Sequence, residues 1–320
     1  MSFDPTFSGT LRIPLIVAPM FLVSCPALAL AACGRGVMGS FPAHGTRDRS
    51  IFAGWLDTMA AGLERLDRPA PWAVNLVVHP SNPRLEGDLA LCIERKVPIV
   101  LTSKGAPEEV FDRIHDYGGL CFHDIASARH AEKAVAAGAD ALIAVCGGAG
   151  GHTGTLNPFA LLNEVREVTD RPIILAGGMS TGRDILAAEA MGATLAYMGT
   201  RFIATRESLA DAHTRRVMID CSAKDVFFTA ALDGAPANFL APTLIEEGID
   251  LDALATTPPG EIIAAAAAKK RYARVKSAGH GVGMTKRVVP AAKLCDQLIG
   301  EYETARAAFP SPPATEDSPA

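Results

Sequence analysis

The chain carries no excess of basic residues: 30 Lys and Arg against 35 Asp and Glu give a net charge of −5. Nothing electrostatic therefore points to nucleic acid or to an acidic membrane surface. A Cys-x-x-Cys pair is also lacking, and the 7 cysteines are an odd number. Scattered reduced thiols in a cytoplasmic protein account for them better than a disulfide framework or a zinc site. Ile13 to Cys33 lacks charge altogether and is long enough to suggest a membrane span. Pro14, Pro19 and Pro26 divide it into a buried strand at Leu15–Ala18, a turn and a short helix at Pro26–Cys33. Asp4 lies near the start and no basic segment precedes the apolar run, so a secretory signal is disfavoured.

What is present is a rhythm. Short apolar runs recur, each followed by a Gly, Pro or polar loop and then a helical stretch. The runs are Leu15–Ala18, Gly36–Ser40, Trp72–Val78, Val97–Thr102, Gly119–His123, Ala139–Cys146, Pro172–Ala176 and Thr194–Met198. Helices are expected at Arg47–Leu66, Leu85–Arg95, from Pro107, and at Ser127–Ala137, Pro158–Val168 and Thr181–Met191. Strands alternating with helices imply a parallel sheet, and eight such units suffice to close a (β/α)8 barrel. An open doubly wound sheet usually carries a G-x-G-x-x-G turn after its first strand; here that turn is Ala18-Pro19-Met20.

After Thr200 the rhythm stops. Residues 1–206 are expected to form the barrel and 207–275 a smaller, mainly helical inserted domain over its mouth. Residues 276–308 would return to the barrel as a loop and a helix at Ala291–Ala308. The run Ala264–Ala268 is a good helix former and needs no function. Residues 309–320, rich in Pro, Ser and acid, read as a disordered tail.

Three loops can carry chemistry. Ala144–Thr155 holds five glycines around His152, a density that no helix or strand interior tolerates. No other ligand lies at metal spacing beside His152, so a general base or a hydrogen-bond donor to an anion is the better chemistry. Gly177-Gly178 after the seventh run and Gly199-Thr200 after the eighth read as a phosphate cradle. Free N–H groups and a helix N-terminus would hold the anion there, in the loops where barrels often bind phosphate. Ser277–Gly283 is a further glycine-rich loop. Other candidates at strand ends are His44, Asn75, His79, Ser103, Lys104, His123 and Asp124.

Gly150-Gly151-His152-Thr153-Gly154, Leu175-Ala176-Gly177-Gly178 and Met198-Gly199-Thr200-Arg201-Phe202 resemble the nitronate monooxygenase family, as do Ala18-Pro19-Met20, Val74-Asn75-Leu76 and Ser277–Gly281. The resemblance implies a TIM barrel that binds FMN without a covalent link. It places the flavin ring against the backbone around Ala18 and Met20 and puts Asn75 in contact with the flavin; Pro19, Asp124, Gly150 and Gly151 would also bind the cofactor. It assigns the phosphate to Gly177, Gly178, Gly199 and Thr200, and catalysis to His152. His44, His79, Ser103, His123, Ser277 and His280 would line the substrate pocket. Asp124 stands where related enzymes often have Lys, and His280 where many have Gln.

The expected partners are a nitronate or related anion and O2, with a homodimer as one assembly the chain could form. The expected activity is FMN-dependent oxidation of nitronates or nitroalkanes. NAD(P)H-dependent reduction of quinones or enoyl thioesters, and a non-catalytic phosphate-binding barrel, are the alternatives.

Overall fold

The computed structural model describes residues 9–105, 108–232, 234–258, 260–263 and 274–309. The expected start at Pro107, the run Ala264–Ala268 and residues 310–320 of the expected tail lie outside them. The barrel strands are β1 (Leu15–Val17), β2 (Gly39–Pro42), β3 (Trp72–Val77), β4 (Ile99–Ser103), β5 (Leu120–Ile125) and β6 (Ala141–Val145), joined later by β8 (Ile173–Ala176) and β9 (Leu195–Met198). Two-residue β7 (Gly151–His152) lies between β6 and β8 in the chain and belongs to another sheet. All barrel pairs are parallel, in the order β1-β9-β8-β6-β5-β4-β3-β2. A bridge from Ile16 to Met38 joins β1 to β2 and closes the ring. It is backed by hydrogen bonds from Val17 N to Met38 O and from Met38 N to Leu15 O. The chain folds as a (β/α)8 TIM barrel.

Helices fall between the strands: α1 (Pro26–Cys33), α2 (Arg49–Leu63), α3 (Leu85–Glu94), α4 (Glu108–His115), α5 (Ala128–Ala136), α6 (Pro158–Arg166) and α7 (Gly182–Ala190). Their starts are chemically marked. Pro26 and Pro158 occupy first-turn positions, where a missing N–H costs nothing. Asp48 and Ser127 accept the orphan N–H groups of Ile51 and His130. The second strand begins three residues later than its apolar run, because Gly36 (φ +74°) ends the turn after α1 and only then does the chain extend.

The pleat separates two cores. Ile16, Met38, Leu101, Phe122, Ile143 and Ile174 fill the barrel interior. Cys121 and Ile125, on the opposite face of β5, pack among the helices. Inward positions alternate, so Asp124 follows Leu120 and Phe122 into the barrel, whereas His123 points outward.

Beyond β9 come α8 (Thr200–Ile203), α9 (Ala212–Asp220), a hairpin of β10 (Val226–Thr229) and β11 (Ala237–Leu240), then α10 (Ala241–Glu246) and α11 (Leu251–Thr256). The hairpin falls within the segment read as mainly helical. Its strand β11 pairs antiparallel with β7, setting Ala237 opposite His152 and Asn238 opposite Gly151. The final helix α12 spans Ala291–Ala308 and buries Leu294, Cys295, Leu298, Ile299 and Tyr302, one face of a helix, among α1 and α7. All seven cysteines are free and buried. No helix among the described residues is long and apolar enough to cross a membrane.

Candidate active site

A cavity of about 1540 Å³ opens at the C-terminal ends of the barrel strands. Inward positions near the strand C-termini form its floor: Asn75 and Val77 on β3, Ser103 on β4, Asp124 on β5, Val145 on β6, Ala176 on β8 and Tyr197 on β9. The Asn75 amide is held in place by donating to Leu101 O at 3.1 Å. Asp124 is half-buried as a residue, yet its Oδ1 is enclosed and has no hydrogen-bond partner. Burial raises its pKa to about 7. Burial, and then the charge of Asp124, push the Tyr197 phenol well above its usual range.

His44 lines one side of the cavity on the turn after β2 and stacks on Phe21, with ring centroids 5.3 Å apart. Its Nδ1 is buried without a partner. Burial, followed by the positive charges of Arg84, Lys104 and His152, lowers its pKa to about 4. Phe21, Leu22, Ile203 and Leu209 add an apolar rim.

His152 lines the cavity from the opposite lip, exposed, on β7. Its loop is tied down on every side. Gly147 N donates to Leu156 O, Thr153 Oγ1 to Cys146 O, and Thr153 N to Pro236 O. The buried Asn238 amide donates to Ala149 O at 2.7 Å. His280 N donates to Gly148 O, so the glycine-rich segment 277–283 lies along the His152 loop, backbone to backbone. A Cβ on Gly150 would come within 2.7 Å of Gly279 N, and one on Gly279 within 2.4 Å of Gly148 O.

These contacts revise the reading of the five glycines. Gly147, Gly148, Gly150 and Gly154 face neighbouring protein atoms; the missing side chain of Gly151 (φ +70°) alone faces open space. Gly148, Gly150, Gly151 and Gly154 line the cavity, and of these only Gly151 has room for a side chain. Gly151 and His152 are also extended and paired, so the stretch is not all loop.

The residues expected to cradle an anion share the cavity. Gly177, Gly178, Gly199 and Thr200 all line the cavity, and nothing lies within 4 Å of a Cβ built on Gly178 (φ +74°). The N-terminus of α7, however, is already occupied by carboxylates. Asp184 accepts from Ser180 N and Thr181 N, and Glu301 of α12 accepts from Gly182 N. The first N–H groups of α7 are therefore taken by the protein's own carboxylates.

Ala18, Pro19, Met20, Gly150, Ser277 and Lys104 also line the cavity. His123 reaches its margin from the outward face of β5, bonded through Nδ1 to Thr102 Oγ1 at 2.7 Å and edge-on to Phe111. Burial lowers its pKa to about 4. His79 and His280 are outside. Val78 N bonds Ser103 O at the end of the sheet, and the next residue, His79, is exposed and pairs with Ser81 Oγ. The exposed His280 ring lies over Gly148, on the far side of its loop. Sequence reasoning overlooked Tyr197 and Asn238. Tyr197 lies two residues after inward-facing Leu195, so alternation could have found it; nothing local marks Asn238.

Among the described residues, His115, Cys121 and Asp140 form one group of potential metal donors, at the opposite end of the barrel. They satisfy one another: Asp140 Oδ2 accepts from Cys121 N and pairs with His115 Nε2 at 2.9 Å.

A family model described as nitronate monooxygenase matches residues 56–301. The chain is 30% identical to a nitronate monooxygenase of Paraburkholderia phytofirmans, covering 91% of this chain and 92% of that protein. It is 31% identical to a hydroxy-methyl-oxo-octahydro-indene-carboxyl-CoA dehydrogenase of Mycobacterium tuberculosis, over 60% of this chain but only 55% of that one. Among solved structures, a nitroalkane oxidase from Streptomyces ansochromogenes superposes with a TM-score of 0.76 at 29% identity, covering 94% of this chain and 99% of that one.

Proposed function

The chain belongs to the nitronate monooxygenase family, and from that premise we propose that it oxidises alkyl nitronates or nitroalkanes with O2, using FMN, to a carbonyl compound and nitrite. The observation that carries this reading is the placing of His152 on the lip of the same cavity that holds Gly177-Gly178 and Gly199-Thr200.

The residues present fit a flavin mononucleotide. The cavity floor offers Asn75 and an unpartnered Asp124 Oδ1 for the polar edge of a planar ring. Ala18, Met20 and Gly151 offer small or apolar surface for its faces. The open turn at Gly178 admits a phosphate against backbone N–H groups. A bound flavin would supply the electron relay between substrate and O2.

The rest is the work of this chain. His152, in its neutral form, takes the α-proton of a nitroalkane; as a hydrogen-bond donor it steadies the nitronate anion. The β7–β11 pairing holds its backbone in one place, so little orientational entropy is lost when substrate binds. Phe21, Leu22 and Leu209 line the rim with apolar surface for the alkyl part of the substrate.

The test is to purify the protein, record its visible spectrum, and add propyl-2-nitronate and NAD(P)H separately without oxygen. Bleaching by the nitronate and not by the nucleotide is expected. Fast bleaching by NADPH or NADH alone would assign the chain to a reductase instead. A colourless protein that takes up no flavin would leave only a phosphate-binding barrel.

A further inference from the structure

Among the inward-facing strand residues that floor the cavity, Asp124 is the single acid. We propose that Asp124 makes cofactor capture proton-linked: the site accepts the flavin with this carboxyl in its neutral form, so affinity for free FMN falls as pH rises. The inference rests on the flavin reading of the cavity.

The geometry comes first. Oδ1 of Asp124 is enclosed, with no donor directed at it. From β6, Ile143 and Val145 are the inward neighbours, and neither carries charge. From β9 comes Tyr197, whose phenol stays protonated. On the β4 side, Ser103 and Lys104 line the cavity, as do Glu108 of α4, His130 and Lys133 of α5, and His44 and His152. His123, next to Asp124 in the chain, faces the other way and is bonded to Thr102. Among the described residues no cation is paired with the carboxyl, and burial raises its pKa.

A planar ring laid on this floor removes the water that still reaches the carboxyl through the cavity. Loss of water penalises the charged form far more than the neutral one. Binding therefore raises the pKa further. By linkage, the protonated protein binds the ring more tightly than the ionised one, by the same factor. The neutral carboxyl also donates a hydrogen bond, which a carboxylate cannot do. As Asp124 ionises, affinity falls with rising pH, by up to about tenfold per pH unit, until the pKa of the bound form is reached.

The experiment titrates stripped protein with FMN, following quenching of flavin fluorescence between pH 6.5 and 9. For the wild type, Kd should rise at least about tenfold between pH 7 and 9. Asp124→Asn, close to the neutral acid in shape, should hold Kd level within about threefold. A calorimetric titration of the wild type in two buffers of different ionisation enthalpy needs no variant. It should show proton uptake approaching one per FMN at pH 8 and much less at pH 6. A level wild-type Kd without proton uptake, or the same slope in Asp124→Asn, overturns the proposal. Failure to bind FMN at any pH overturns the flavin reading beneath it.

Discussion

His152 stands directly opposite Ala237 in an antiparallel ladder, so the candidate catalytic residue is positioned by a strand that follows the last barrel strand. The brace beside it is Asn238, whose buried amide holds Ala149 O. Asn238→Ala leaves that carbonyl without its partner, at a cost of about 1–2 kcal/mol. If the strain is released by movement of the His152 loop, kcat/KM for a nitronate should fall roughly tenfold. Bound flavin should be retained. Steady-state kinetics beside a visible spectrum provide the check, and an unchanged kcat/KM would show that the brace does not position His152.

His152→Gln tests the chemistry itself. Removal of a general base typically costs on the order of 10²–10⁴ in rate. The variant should lose turnover on that scale while its melting temperature and flavin content stay near those of the wild type, because His152 is exposed and contributes little to the core. Wild-type turnover in the variant would remove His152 from the mechanism.

Two adjacent glycines should lose flavin for different reasons, one by disturbing the fold and the other by filling the cavity. Gly150→Ala drives a methyl group into the backbone of Ala278 and Gly279, so the two glycine-rich segments must separate. Loss of several degrees in Tm and of flavin retention is expected. Gly151→Ala meets no atom and bears only the strain of a positive φ, about 1 kcal/mol. Its Tm should fall by a few degrees at most, while crowding of the cavity weakens FMN binding. Thermal melts with and without FMN separate the two.

Asp124 and His123 should tilt the pH–stability curve of the unliganded protein in opposite directions. The folded pKa of Asp124, about 7, lies above its ordinary value of 3.8. The folded state holds that proton more tightly, so the stabilisation is complete below about pH 4 and lost as pH rises through 7. Asp124→Asn should therefore raise Tm by a few degrees at pH 8 and hardly at all at pH 4.5. His123 is depressed to about 4 from 6.5. Its contribution is complete above pH 6.5 and lost as pH falls towards 4. His123→Asn should flatten the acid limb of the same curve. Urea midpoints measured at pH 4.5, 6 and 8 read both effects.

The barrel was legible because each unit repeats the same local chemistry: an apolar run, a breaker and a capped helix. The termini of α1 and α12 fall where Pro26 and the apolar face of Ala291–Ala308 place them. The convergence of His152, Gly178 and Thr200 on one cavity also follows from the rule that loops after barrel strands share a face. What escaped was every relationship between distant segments. β7 has only two residues, too few for a period, and exists only because β11 lies beside it. Phe227-Phe228 disguises β10, since two adjacent bulky residues are not the alternation of a half-buried strand. Glycine next to glycine reads alike whether the neighbour is a ligand or another backbone, and for Gly150 it is Gly279. His79 and His280, expected in the pocket, lie outside the cavity lining, because the packing of the chain just past each strand or loop end cannot be read from the local sequence.

The contact of Gly150 with Gly279 also sets an order in time. The ring can close, from Leu15 to Met198, before the chain that steadies the His152 loop has been synthesised. Domains emerge from the ribosome N-terminal part first, at about 5–20 residues per second. Elongation from Met198 to Gly279 thus takes several seconds, during which the His152 loop lacks the backbone it packs against.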